Sequence, residues 1–199
     1  MCIRDSSYID QSVDSSYKYF QFVDSGALQR SDIYNSLKGV NSTCSLSGLT
    51  LLNDNQHSAT YITTDHIMPN CTSSQNFKSV LSNKSSGVFN GRTIVREDSQ
   101  KTNSKQSNKN LLLSDKATMN SNPQLEIYAD DVKCAHGSTT GALDEEALFY
   151  MQSRGIDRES ASALLIRGFV NELMEELDDK DLRNYLFAKF DNWLIKNHK

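Results

Sequence analysis

Cys134 and His136 stand two residues apart in Lys133-Cys-Ala-His-Gly137, and their types and spacing suit metal chemistry. Alternate residues of an extended chain face the same side, so a thiolate and an imidazole at this spacing can serve one iron or one sulfur species. Both side chains are suitable iron ligands. Two ligands do not complete a tetrahedral site, so the others would have to come from a partner chain. The plainer reading is a buried thiol next to a hydrogen-bonded imidazole. From residue types alone that reading is the more frequent one, because a single C-x-H is a weak signal.

Other residues offer chemistry with less force. Asp130-Asp131 presents two carboxylates to iron, but aspartates beside Lys133 more often serve a turn. His66, Cys71 and Cys44 are secondary candidates whose types are more often structural. Lys101, Lys105 and Lys109, four apart in a polar stretch without interleaved aromatics, read as a solvated face and resemble no nucleic-acid motif. Gly137-Ser-Thr-Thr-Gly141 lacks the GxxxxGK[ST] pattern and is not read as a phosphate loop. Glu172, Glu175 and Glu176 fit either the wet side of a helix or a partner-facing surface. A cysteine hydrolase built on Cys134 and His136 has poor geometry and no evident orienting acid.

Composition narrows the classes. The chain has 199 residues, a net charge of −4 and 37% hydrophobic residues, which suits one or two folded domains and gives no footprint for nucleic acid or an anionic membrane. The four cysteines are far apart and form no CxxC pair, which reads as reduced cytosolic thiols. No apolar stretch is long enough to span a bilayer, and MCIRDSSYID has no signal-peptide core, so a cytoplasmic location is expected. Met1 to Ser6 do not read as the natural opening of a domain, and residues 8–23 already read as mid-domain strand. An N-terminal truncation is therefore expected.

The elements that would position Cys134 and His136 are short strands. Tyr17–Val23, Thr60–Thr64, Gly87–Gly91 followed by Arg92–Arg96, and Gln124–Ala129 read as strands separated by Ser, Asn and Gly clusters. Leu125, Ile127 and Ala129 are expected on one face. A sandwich needs hairpin dipeptides, and Asn90-Gly91 is the only one of its kind. The abundance of Asn and Ser, including Asn103, Asn108 and Asn110, favours a solenoid with hydrogen-bonded ladders between coils, although no crisp repeat period is visible. After Gly141 the pattern becomes helical. Asp144 to Arg154 ends at Gly155, and Asp157 caps a second helix with Ala161, Leu164, Leu165, Phe169, Leu173 and Leu177 on one face. Asp178-Asp179 breaks it, and a third helix over 180–197 carries Leu182, Leu186, Phe190, Trp193 and Leu194. The expectation is a mainly β protein, with a solenoid over 1–143 and a helical segment over 144–199. Part of each helical stripe is expected to close the end of the solenoid.

Several pieces in order carry a resemblance. They are Gly87 to Ala117, then Pro123-Gln-Leu-Glu-Ile-Tyr-Ala-Asp-Asp-Val-Lys-Cys134, Cys134 to Gly141, Leu148-Phe-Tyr150 and Ser153-Arg-Gly-Ile156. They resemble the SufB/SufD family of the SUF iron–sulfur cluster assembly system, and KCAHG and LFYMQSRGI are closer to its SufD branch. The resemblance is strong over 86–177, weaker over 60–85 and faint before that. It implies a right-handed parallel β-solenoid that pairs with SufB. It also implies C-terminal helices that dock the SufC ATPase, and an iron–sulfur cluster or iron held transiently where the solenoids meet. It makes His136, with Cys134, the expected metal ligand, and it implies a scaffold without catalysis of its own. The competing class is a stand-alone solenoid that binds or cleaves carbohydrate. Such proteins present paired acids and aromatic platforms in a groove. Here Asp130-Asp131 and Glu145-Glu146 fall at a turn and a helix start, and the single Trp193 lies in the helical tail.

Overall fold

The structure, a computed structural model, describes residues 1–197. β1 (Cys2–Gln11), β3 (Leu28–Leu37), β5 (His57–His66), β7 (Ser86–Val95) and β9 (Thr118–Ile127) form one parallel sheet in that order. β2 (Ser16–Val23), β4 (Thr43–Leu52), β6 (Thr72–Leu81), β8 (Asn103–Leu112) and β10 (Lys133–Gly141) form the second. The chain alternates between the sheets, so every two strands complete one coil of a parallel β-solenoid, the expected architecture.

The coils differ in length, which hides the repeat in the sequence. Leu28 pairs with His57 and His57 with Ser86, a step of 29 residues each time. Cys2 to Leu28 is a step of 26 and Ser86 to Thr118 a step of 32. What repeats is the turn chemistry. Asp14, Asn41, Asp54, Asn70, Asn83 and Lys101 all have positive φ, and five of the six are Asn or Asp, which tolerate that region best among residues with a Cβ. At the ends of turns, Ser15, Ser42, Ser85 and Thr102 donate their hydroxyls to the carbonyl three residues back, at 2.7, 2.9, 2.6 and 2.8 Å. Much of the Asn and Ser richness therefore serves corners. Ladders contribute as well, with Asn83 donating to Asn53 at 2.7 Å and Asn41 to Asp14 at 3.1 Å.

Between the sheets lies a narrow core of Ile33, Leu37, Leu46, Ile62, Phe77 and Phe89, with the two phenylalanine rings 5.4 Å apart. The stretches expected as two strands form one, β7, which ends at Val95 and does not break at Asn90-Gly91. Gly91 is there for space: a Cβ on it would come 1.9 Å from Gln106 Nε2. Pro123 lies within β9, tolerated because β9 is the last strand of its sheet. For the same reason the face expected from Leu125, Ile127 and Ala129 is only partly covered: Ile127 is 41% exposed, while Ala129, beyond the strand, is buried. The stretch around Lys101–Lys109 is also not wholly solvated. Ser104, Gln106, Asn108 and Asn110 of β8 point into the solenoid, and the lysines alternate outward.

Three helices follow: α1 (Glu145–Ser153), α2 (Arg158–Met174) and α3 (Lys180–Asn197). Asp144 caps α1 by accepting from the amides of Glu146 and Ala147, and Gly155, at φ +86°, ends the turn after it. Asp157 caps α2 by accepting from Ser160 N. The buried stripe of α2 is Ala161, Ser162, Ile166, Val170, Leu173 and Met174. Leu164, expected inward, is 49% exposed, and Leu182 of α3 is also exposed. The helices do not close the solenoid end. Their apolar residues pack with Leu49, Leu51, Val80 and Leu111 on the outer face of the β4–β6–β8 region. Covered on both faces, β4 is buried almost throughout, from Leu46 to Leu52. Residues 198–199 of the segment expected over 144–199 lie outside the described residues.

Candidate functional site

Cys134 and His136 lie on β10, the last strand of its sheet, and pair in register with Ser104 and Gln106 of β8. Side chains on paired parallel strands share a direction, so both residues occupy the inward row that Ser104 and Gln106 fill one coil below. Ser104 and Gln106 are each 2% exposed, whereas Cys134 is half-buried and His136 exposed. The difference comes from position: among the described residues no further strand or helix covers the inner face of the last coil. The expected pair is thus brought together on one face, at an open end.

The surroundings of the pair are polar and tied across the coil. Ser138 Oγ donates to Ser121 Oγ at 2.8 Å, Ser121 donates to Asn108 Oδ1 at 2.7 Å, and Asn110 Nδ2 donates to Thr140 Oγ1 at 3.2 Å. Burial pushes the Cys134 thiol up, and the backbone amide of Ser104 partly offsets this. At neutral pH the residue is therefore a thiol, and ligation of a cation would drive off its proton.

β10 runs through Cys134 and Gly137 to Gly141, and Gly137 pairs with Ser107 in mid-strand. His136, though in the inward row, is exposed because its strand is the last in the sheet. Asp131 accepts a salt bridge from Lys101, and its amide donates to Gln100 Oε1 at 2.9 Å, which is the turn role.

The secondary candidates are interior residues. His66 is fully buried, with Nε2 2.8 Å from Ser73 Oγ, and burial lowers its pKa to about 4. Cys44 is buried and its thiol is pushed up to about 12 by burial. Cys71 is buried against Ser42 Oγ at 3.2 Å. Among the described residues no three His, Cys, Asp or Glu side chains come together around a common point for a metal ion.

A second concavity of about 880 Å³ lies between the outer face of the second sheet and the α2–α3 connection. Its acids are occupied within the chain. Glu172 pairs with Lys78 and Lys109, Glu176 accepts from Ser47 at 3.1 Å and Asn76 at 2.6 Å, and Asp178 pairs with Lys18. Two of the three glutamates read as a wet or partner-facing surface thus fasten α2 to the sheet. Lys78 was invisible as a functional residue, since a lysine in Asn-Phe-Lys-Ser-Val carries no sign that a helix will cover it. Glu145 pairs with Arg158, and Trp193 is buried in the helical core.

Fold and site together define a parallel β-solenoid protein that presents a thiol and an imidazole from its terminal coil. The SUF system FeS cluster assembly SufBD core domain matches residues 4–169. The chain belongs to the SufBD family. It is 39% identical over 168 residues to the iron-sulfur cluster assembly protein SufD of Escherichia coli K12, covering 84% of this chain and 40% of that protein. It is 34% identical over 183 residues to protein ABCI7, chloroplastic, of Arabidopsis thaliana, covering 89% of this chain and 38% of that one. A SufBD family protein of Synechocystis is 37% identical over 138 residues, covering 69% and 30%. The chain spans about two-fifths or less of the length of these relatives. No described helix is long and apolar enough to cross a membrane.

Proposed function

We propose that this chain is a scaffold subunit for iron–sulfur cluster assembly that pairs with SufB through its open solenoid end. In this reading it docks the SufC ATPase through its C-terminal helices and holds iron or a nascent cluster where the two solenoids meet. The observation that carries the reading is the uncovered inner face of the last coil, with Cys134 half-buried and His136 exposed in one inward row. β9 and β10 are last in their sheets, so each leaves one backbone edge free to pair with another chain. Cys134 and His136 supply two ligands, and SufB supplies the rest. The cluster is cargo in this scheme, ATP hydrolysis belongs to SufC, and the four free cysteines suit a cytoplasmic location.

Co-expression with SufB and SufC tests this directly. A complex of the three chains that survives affinity purification is the expected result. Failure to retain SufB, together with retention on a polysaccharide resin, would favour the carbohydrate-binding class.

A further inference from the structure

Gln106 is 2% exposed, and its carbonyl oxygen Oε1 is buried with no hydrogen-bond partner. The rest of its amide is fixed. Nε2 donates to Gln75 Oε1 at 2.7 Å, and Gln75 Nε2 is anchored on the hydroxyls of Thr64 at 3.0 Å and Thr93 at 3.3 Å. Gly91 leaves the space in which the Gln106 amide lies, since any Cβ there would meet Nε2 at 1.9 Å and Cδ at 3.0 Å. An amide held on one side by the coil below turns its other pole away from that coil.

The residue in register with Gln106 on the coil above is His136. In-register side chains on adjacent strands lie about 4.8 Å apart at the backbone, within the reach of a glutamine and an imidazole. An unsatisfied buried carbonyl is destabilising, so a donor arriving from His136 relieves a standing deficit. In this structure Oε1 has no donor and the bond from His136 is not made; Nδ1, the ring nitrogen nearer the backbone, is the one that a rotation of the exposed side chain would bring down to it. Its N–H on Oε1 would leave Nε2 unprotonated and directed out of the solenoid end.

We infer that Gln106 is a positioning residue for His136: it accepts the Nδ1–H, fixes the tautomer and orients Nε2 for a metal. Metal-binding histidines generally have their second nitrogen held in this way. The inference rests on the reading of His136 as a ligand but concerns a hydrogen bond within this chain alone. Asp130 and Asp131 precede β10 on the adjoining turn, where Asp131 is engaged by Lys101.

The test is nitrogen NMR of the imidazoles in the metal-free full chain. His136→Ala assigns the signals. The expected result is a His136 ring protonated at Nδ1 in the folded wild type. Gln106→Met should lose that preference, and Gln106→Glu, which keeps an acceptor oxygen, should restore it. An Nε2-protonated or freely exchanging ring in the wild type overturns the inference without the need for any variant. Iron content of the SufB–SufC complex carrying His136→Ala separates the two claims. Normal iron with a fixed Nδ1–H ring removes the ligand role and leaves the hydrogen bond standing. Lost iron with an unfixed ring does the reverse.

Discussion

Lys78 and Glu172 meet across the β6–α2 interface with the lysine side chain fully enclosed and the carboxylate still 62% exposed. The ammonium also donates to the carbonyl of Phe169 at 2.7 Å and lies 4.8 Å from the centre of that ring. Burial lowers the Lys78 pKa, opposed by Glu172, while Lys78 holds the Glu172 carboxyl below its usual range.

This asymmetry makes the two partners unequal. Glu172→Gln leaves an enclosed cation without its counter-charge and should cost about 1–2 kcal/mol, less than for a pair buried on both sides. Lys78→Met fills the same space with apolar atoms and leaves a carboxylate that water can solvate. It should fall within about 1 kcal/mol of wild type or be more stable. Urea midpoints of the two variants check this, and a larger loss for Lys78→Met contradicts it.

His66 gives the fold a dependence on pH. Its pKa is about 4 when buried and 6.5 in the reference state. Between those values the unfolded chain binds the extra proton, so stability rises with pH across this window and is lost on acidification. The full span corresponds to roughly 3 kcal/mol. Unfolding midpoints at about pH 4.5 and pH 7 should therefore differ less in His66→Gln than in wild type.

The helical segment cannot simply be removed to test SufC docking. Deleting residues 157–199 uncovers Leu49, Leu51, Val80 and Leu111 and strips the partner from Lys78, so the strands would not remain intact. Phe149, at 74% exposure, and Leu164, at 49%, are better probes. Phe149→Asp combined with Leu164→Asp should abolish co-purification of SufC, with folding stability changed by no more than about 0.5 kcal/mol for each surface site. Undiminished SufC retention would move the docking surface elsewhere.

The solenoid was legible in its strands and in its Asn and Ser content, but the repeat was not. Coil lengths drift as turns such as Arg96–Thr102 lengthen, and the constant signal sits in a few αL corners such as Asn41 and Asn70. Helix bounds were legible because Asp144, Asp157 and Gly155 are local signals. The buried face of α2 was misassigned at Leu164, because Leu164 and Ile166 are equally apolar and only the sheet decides which one faces it. The pairing of Cys134 with His136 was visible from their spacing. Gln106 was not, because its role depends on a register contact 30 residues away. Lys78 was missed for a similar reason, since α2 lies about a hundred residues further on.

The central claim is that His136 binds iron at an open solenoid end. The most direct measurement is iron content and cluster absorbance of the co-expressed SufB–SufC complex containing His136→Ala, with circular dichroism as the folding control. His136 is exposed, so the substitution should leave the fold intact. The account predicts an assembled complex with an unchanged spectrum and no bound cluster. Wild-type iron and cluster content in that complex would contradict it.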